Sequence, residues 1–188
     1  MKEKKSSWII LCSFFVCFCF FQPLWAEKRV ERGNDIVSVI RHGVRNDGSV
    51  IGSELNELVV RSYGKTLYFP VGTYNLSEPI ILPYDYTKNV NIVFDKNALI
   101  KTDLPLEALL KVGYSEMSTP DVTHRRFSYI EGGMFDCYNV ENGIMVNGLK
   151  QLVSLKSISL FKGRNTHIRI SVTDDFRGTG SCDTKIDN

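Results

Sequence analysis

Short apolar runs separated by proline and glycine recur along this chain, and residues 64–83 show the pattern most clearly. Residues 67–69 are strand formers that Pro70 ends, and Gly72 allows a sharp corner that a side chain with a Cβ would resist. A further strand follows at residues 79–82. Such short strands with corners between them indicate a chain that winds around a core in flat turns. A hairpin sandwich is disfavoured, because no Asn-Gly or Asp-Gly two-residue turn joins the runs.

Apolar runs elsewhere predict the remaining strands. These cover residues 36–40, 89–94, 98–101, 127–130, 134–136, 143–146, 152–161, 167–172 and 185–188. Residues 106–112 fit either a strand or a short helix. Residues 43–52 and 113–126 are rich in turn formers and are predicted to be loops.

One segment has helical periodicity. Ser53 is a predicted N-cap, and Leu55, Leu58 and Val59 form one apolar stripe, with Gly64 as the predicted C-terminal cap. A helix with a single apolar stripe before a run of strands is suited to closing the end of a β-stack. Later in the chain, residues 128–130, 156–158 and 184–186 recur at steps of 28, which is consistent with a solenoid or with chance alignment of strands.

The first 26 residues differ from the rest. Three lysines precede the apolar run 8–21, and Ala26 is a small residue at a cleavage point, so residues 1–26 are predicted to be a secretory signal peptide. The alternative is an uncleaved membrane anchor, although the run is shorter than the roughly 20 residues that span a bilayer. The expected location is secreted or periplasmic.

Residues 27–188 are predicted to form one domain. Without the leader, 20 basic and 20 acidic residues remain, and a net charge near zero disfavours a nucleic-acid surface. Cys137 and Cys182 could pair in an exported protein, but two cysteines do not make a disulfide framework.

Several of these segments together resemble the N-terminal part of the pectate-lyase-like, right-handed parallel β-helix superfamily. The matching positions are Asp47-Gly48, Leu55 and Leu58, residues 67–74, residues 91–98, residues 132–136 and residues 142–144. The resemblance implies an all-β, right-handed parallel β-helix, a solenoid, with a short N-terminal capping helix. One departure lies at residues 40–44, Ile-Arg-His-Gly-Val, where members of the superfamily often carry Asp-Phe-Gly-Ala.

The resemblance also implies activity on polysaccharides. The first hypothesis is therefore an exported lyase or glycoside hydrolase that acts on acidic or complex glycans, with a polysaccharide as partner. The alternative is a non-catalytic carbohydrate-binding or structural module, or the cap of a longer enzyme whose catalytic turns lie beyond Asn188. The chain ends within a predicted strand with no visible cap, so a truncated reading frame or self-association through the open end is expected.

No catalytic residue can be assigned from the sequence. Polygalacturonases carry Asn-Thr-Asp and Gly-Asp-Asp on successive turns, whereas this chain has residues 165–167, Asn-Thr-His, and residues 173–175, Thr-Asp-Asp, too close together to stack. Calcium is implied by the resemblance alone, because no carboxylate set is recognisable and neither a metal nor another cofactor is predicted. The scattered candidates are Asp95, Asp136, Asp174, Asp175 and Asp183.

Histidines and tyrosines are the other candidates for contact with a sugar. His42 and His124 are expected at the surface, and His167 shares one face of a strand with Arg169, where both could contact an anionic sugar. The tyrosines expected in or near loops, and therefore available for stacking, are Tyr84, Tyr86, Tyr114 and Tyr129. Tyr68 and Tyr74 are expected to pack inside the first turns.

Overall fold

A computed structural model of the chain describes residues 36–85, 88–115, 128–147, 153–171 and 184–187. The predicted signal peptide lies outside these residues. The described strands are β1 (Ile36–Ser38), β2 (Asp47–Ile51), β3 (Thr66–Phe69), β4 (Gly72–Leu76), β5 (Ile80–Pro83), β6 (Asn91–Phe94), β7 (Ala98–Lys101), β8 (Leu106–Ser115), β9 (Ser128–Glu131), β10 (Met134–Asp136), β11 (Val140–Asn147), β12 (Val153–Lys156), β13 (Ser159–Phe161), β14 (Thr166–Ser171) and β15 (Thr184–Asp187). A 3-10 helix covers Val39–His42, and helix α1 covers Glu54–Arg61.

The strands form three parallel sheets. Sheet A has the order β1-β3-β6-β9-β12-β15, sheet B has β2-β4-β7-β10-β13, and sheet C has β5-β8-β11-β14. From β3 onward the chain visits sheets A, B and C in turn, so three consecutive strands make one unit and each unit pairs with the next. All strand pairs in the described part of the chain are parallel. The prediction of a mainly β chain made of short strands is confirmed.

Inward-facing side chains stack in register from unit to unit. In sheet A, Leu67 pairs with Ile92, Ile92 with Ile130, and Ile130 with Leu155. All four are almost completely buried. Because parallel neighbours lie about 4.8 Å apart, the row forms a continuous apolar seam along the sheet.

A second seam is aromatic. The ring of Phe69 lies 4.5 Å from that of Phe94 and 5.2 Å from that of Tyr74, and Phe94 lies 5.3 Å from Phe135. These side chains are buried, and the Tyr74 hydroxyl donates a hydrogen bond to the carbonyl oxygen of Pro70 at 2.9 Å. The expectation that Tyr74 packs inside is therefore confirmed.

Helix α1 buries Leu55, Leu58 and Val59, as its periodicity predicts. Its Asn56 occupies a place that the sequence did not reveal. The Asn56 amide accepts a hydrogen bond from the Ile81 N–H and donates one to the Pro79 carbonyl, both at 2.9 Å. Strand β5 is the edge of sheet C, so this side chain satisfies backbone groups that a neighbouring strand would otherwise pair.

Several predicted boundaries are wrong. Residues 43–52 were expected to be a loop but contain β2, and the ambiguous residues 106–112 belong to β8. The single strand predicted at residues 152–161 is two strands, because Ser157 turns the chain with a φ of 52°. Gly64 does not cap α1, whose C-cap is Ser62.

The step of 28 residues is also wrong. Strand β12 pairs Leu155, not Ile158, with Ile130, a step of 25, and then pairs Leu155 with Ile186, a step of 31. The first and third predicted segments do align, because two unequal steps give the same total. Local sequence similarity cannot reveal such compensation between connections of different length.

Two residues of the last strands are more exposed than the residues they pair with on the preceding strands. Val146 on β11 is fully buried, whereas its partner Ile170 on β14 is 42% exposed. Ile186 on β15 is 50% exposed, although its partner Leu155 is 1% exposed. No helix in the described ranges is both long and apolar enough to cross a membrane.

Candidate functional site

The outward side of sheet A carries a line of polar and aromatic side chains. Strand residues alternate between the two sides of a sheet, and here Leu67, Ile92, Ile130 and Leu155 mark the buried side. We call the opposite side the sheet-A face. Its side chains on β3, β6, β9, β12 and β15 are Thr66, Tyr68, Asn91, Val93, Tyr129, Glu131, Ser154, Lys156, Lys185 and Asp187.

Three of these side chains form a hydrogen-bonded cluster at the centre of the face. The Tyr129 hydroxyl donates a short hydrogen bond to Glu131 Oε2, and Lys156 Nζ lies 3.4 Å from Glu131 Oε1. Glu131 and Lys156 meet because β9 and β12 pair them directly, across neighbouring units. The side chains of Glu131 and Lys156 are 33% and 47% exposed, so the cluster is open to a ligand from solvent.

The cluster fixes the protonation of its members. Partial burial, together with the Glu131 carboxylate, raises the pKa of Tyr129 to about 12. The hydrogen bond from Tyr129, and then the Lys156 charge, lower the pKa of Glu131. At neutral pH the cluster therefore presents a protonated phenol, a carboxylate and an ammonium group.

Polar contacts continue on both sides of the cluster. Toward β15, Lys185 Nζ lies 2.8 Å from Asp187 Oδ2, and both groups are exposed to solvent. Toward β6, the Asn91 side chain accepts a hydrogen bond from the Tyr129 N–H at 3.0 Å. Hydrogen-bonding groups are thus present on several consecutive strands.

A recess lies at the β1 end of the same face. It has a volume of about 500 Å³ and is lined by Ile36, Val37, Ser38, Ile40, Arg41, His42, Tyr68 and Pro70. Tyr68 is half-buried on the outward side of β3. The expectation that Tyr68 packs in the core is therefore wrong, because Leu67 and Phe69 take the inward positions of this strand.

The dimensions of the sheet-A face suit an extended polymer. Four strand-to-strand steps separate β3 from β15, which gives about 19 Å at the usual spacing of parallel strands. Each step brings a new pair of outward side chains into reach. A ligand with a short repeating unit and many hydrogen-bonding groups would meet similar surroundings at every step.

The other tyrosine candidates differ in their suitability for stacking. Tyr84 is 2% exposed, so the expectation that it is available at the surface is wrong. Tyr129 lies on a strand rather than in a loop, but its side chain faces outward as a sugar contact requires. Tyr114 is half-buried at the end of β8, and Tyr86 lies outside the described residues.

The structure separates the histidines. His42 is exposed and lines the recess. His167 and Arg169 share the outward side of β14, as predicted, but this strand belongs to sheet C. His167 Nε2 accepts a hydrogen bond from the Gly163 N–H at 3.2 Å, so it stabilises the turn before β14. His124 lies outside the described residues.

The described carboxylates among the predicted candidates stabilise turns. Asp95 accepts a hydrogen bond from the Asn97 N–H at 2.9 Å. Asp136 accepts one from the Tyr138 N–H at 3.2 Å and pairs with Lys162 at 2.7 Å. Asp174, Asp175 and Asp183 lie outside the described residues. In the part of the chain that the structure describes, no three His, Cys, Asp or Glu side chains converge to hold a metal ion.

Cys137 is buried behind β10, and burial raises the pKa of its thiol to about 11. It is therefore a protonated core residue rather than a reactive thiolate. Its proposed partner Cys182 lies outside the described residues, so the pairing stays a prediction.

Sequence reasoning missed Glu131 and Lys156. A polar residue two positions after Tyr129 on a strand is a weak signal that the two share a face. The link from Glu131 to Lys156 depends on the 25-residue register between β9 and β12, which the sequence did not reveal.

Comparisons with known proteins identify no relative. No protein-family model matches the chain, and neither a curated protein nor a solved structure is significantly similar to it.

Proposed function

We propose that the chain is an exported, polysaccharide-active protein built as a right-handed parallel β-helix, and that the sheet-A face binds the glycan. The fold proposal rests on the regular visit of sheets A, B and C by successive strands. Parallel strands joined through a crossover are almost always connected with right-handed topology. Helix α1 covers the first unit through Leu55, Leu58 and Val59.

The observation that carries the functional proposal is the Tyr129–Glu131–Lys156 cluster in the middle of an elongated polar face. Carboxylate oxygens accept hydrogen bonds, ammonium groups donate them, and a phenol adds an aromatic edge. This mixture matches the hydroxyl groups and the apolar ring faces of a sugar chain. Lys156 and the more exposed Lys185 add positive charge that favours an acidic glycan.

Of the two cleavage chemistries that the resemblance implies, elimination fits this cluster better than hydrolysis. A glycoside hydrolase needs a carboxylic acid whose pKa is raised, so that it can protonate the leaving oxygen. The pKa of Glu131 is lowered, and its carboxylate is ionised at neutral pH. Tyr129 keeps its proton to high pH and is the group on this face that could donate one to a departing sugar oxygen.

A non-catalytic glycan-binding module is the second candidate. The observation in its favour is that both carboxylates on the described sheet-A face are already in ion pairs, Glu131 with Lys156 and Asp187 with Lys185. An ion-paired carboxylate with a lowered pKa is a weak base, so neither residue is prepared to remove a sugar proton.

The test is a panel of acidic and neutral polysaccharides incubated with the secreted full chain. Binding is measured by affinity electrophoresis, elimination by the absorbance of the unsaturated uronate, and hydrolysis by release of reducing ends without that absorbance. We expect binding of at least one acidic polysaccharide. Elimination products would favour the lyase over the binding module.

Two variants locate the activity. Tyr129→Phe removes the phenol oxygen and Lys156→Ala removes the ammonium group, and both are expected to weaken binding or cleavage about tenfold, since each removes a hydrogen bond that involves a charged group. Lys162→Ala is the matched control, because Lys162 is an ion-paired lysine next to sheet B. If no polysaccharide binds, or if the control weakens binding as much as Lys156→Ala does, the proposal fails.

A further inference from the structure

A groove at the corner between sheets B and C is separate from the sheet-A face. It has a volume of about 530 Å³ and is lined by the corners of three successive units: Pro105, Leu106, Glu107, Tyr138, Asn139, Val140, Glu141, Arg164 and Asn165. None of these residues belongs to a strand of sheet A. No candidate residue of the sheet-A face therefore contributes to it.

The groove walls stack in register. Strands β8 and β11 pair Val140 with Leu106 and Asn142 with Ala108, which places Glu141 beside Glu107. The side-chain amide of Asn142 donates a hydrogen bond to the Glu107 carbonyl oxygen at 3.2 Å and ties the two strands together. The two carboxylates therefore lie side by side on neighbouring units.

The groove is nearly balanced in charge. Lys111 Nζ lies 2.7 Å from Glu107 Oε2 and neutralises that carboxylate. Among the described residues no ion-pair partner of Glu141 is found, and the Arg164 guanidinium carries the compensating positive charge. Because a strongly charged ligand would gain little from walls of mixed sign, the groove favours an uncharged one.

An aromatic platform forms one side of the groove. The Arg164 guanidinium lies 4.0 Å from the centre of the Tyr138 ring, and this contact orients the ring. Tyr138 is 51% exposed, which leaves apolar ring surface available. An exposed, oriented aromatic ring beside carboxylate and amide groups is suited to the flat apolar side and the rim of hydroxyls that a pyranose presents.

From these features we propose that the groove between sheets B and C is a second ligand site, which binds an uncharged, hydroxyl-rich saccharide. Tyr138 stacks against the sugar ring, and Glu141 and Asn165 hydrogen-bond its hydroxyl groups. The carboxylate only accepts hydrogen bonds and the guanidinium only donates them, so hydroxyl groups, which do both, satisfy each wall. The site does not depend on the sheet-A face.

The experiment is calorimetric titration of the full chain with maltotriose, cellotriose and mannotriose, with trigalacturonate as the charged comparator. We expect saturable binding of at least one neutral trisaccharide. Tyr138→Ala and Glu141→Gln are each expected to weaken that binding about tenfold. Thermal unfolding of both variants establishes that they are folded, and Lys156→Ala, on the sheet-A face, is expected to leave the binding unchanged.

Three results would overturn the inference. The first is that none of the neutral trisaccharides binds. The second is that trigalacturonate binds more tightly than all of them. The third is that folded Tyr138→Ala and Glu141→Gln variants bind as the parent does, or that Lys156→Ala abolishes the binding, which would move the ligand to the sheet-A face.

Discussion

Replacement of Phe69 by alanine tests the aromatic seam quantitatively. Phe69 is completely buried and contacts the rings of Phe94 and Tyr74. Truncation of a buried phenylalanine costs about 3–5 kcal/mol, which includes the lost burial and the cavity left behind. For a domain of this size, about 2–4 °C of melting temperature is lost per kcal/mol, so the expected decrease is roughly 6–20 °C.

The assay is thermal and urea unfolding of the full chain, followed by circular dichroism. Val71→Ala is the matched control, because Val71 is 56% exposed, and its effect should stay within about 0.5 kcal/mol. If Phe69→Ala lowers the unfolding free energy by less than about 1 kcal/mol, the ring is not in a packed core and the reasoning is refuted.

The order of the rings can be tested with milder substitutions. In double-mutant cycles with leucine, Phe69 and Phe94 should show a coupling of about 0.5–1.5 kcal/mol, because their rings are in contact. Phe69 and Phe135 are separated by one ring, and their effects should be additive within about 0.5 kcal/mol. A coupling between Phe69 and Phe135 as large as that between Phe69 and Phe94 would contradict the stacking order.

Three further predictions concern single positions. Asn56→Ala should cost about 1–3 kcal/mol in urea unfolding, because it leaves edge-strand backbone groups of β5 unpaired, whereas Asn97→Ala, at an exposed turn, should change little. Gly72→Val should destabilise more than Gly43→Val, because a Cβ at Gly72 would lie 2.5 Å from a backbone oxygen whereas nothing lies within 4 Å at Gly43, and equal losses would refute this. In an alkaline absorbance titration, Tyr129→Phe should remove a phenol that ionises at about pH 12. Because this pKa is raised in the folded state, the stabilisation should be complete below about pH 10 and lost as the pH rises through about 12, and an ordinary tyrosine titration near pH 10 would contradict the cluster.

The elements with strong local signals could be predicted from the sequence. Helix α1 has an apolar stripe that only a helix can bury on one side, and β7 and β10 are short apolar runs closed by polar residues. These features depend on residues a few positions apart. Local periodicity is sufficient for them.

Tertiary register could not be predicted. Whether Tyr68 faces outward depends on Leu67 and Phe69 both taking inward positions of β3, and a three-residue apolar run does not reveal its own buried side. The corner at Ser157 also escaped detection, because a left-handed serine has no sequence signal as clear as that of glycine.

The candidate site was less predictable than the fold for the same reason. Tyr129, Glu131 and Lys156 meet only because β9 and β12 pair at a step of 25 residues. The sequence suggested Tyr129 as a sugar contact but placed it near a loop. The partners that set its protonation became visible only when the strands were aligned.

Lysine footprinting with a bound polysaccharide tests the central proposal most directly. Lys156 and Lys185 lie on the sheet-A face, whereas Lys101 and Lys162 lie on or beside strands of sheet B, and all four are accessible to an acylating reagent. Mass spectrometry of the labelled chain, with and without an acidic polysaccharide that binds it, should show protection of Lys156 and Lys185 and unchanged labelling of Lys101 and Lys162. Protection of the sheet-B lysines, with Lys156 and Lys185 still labelled, would contradict glycan binding on the sheet-A face.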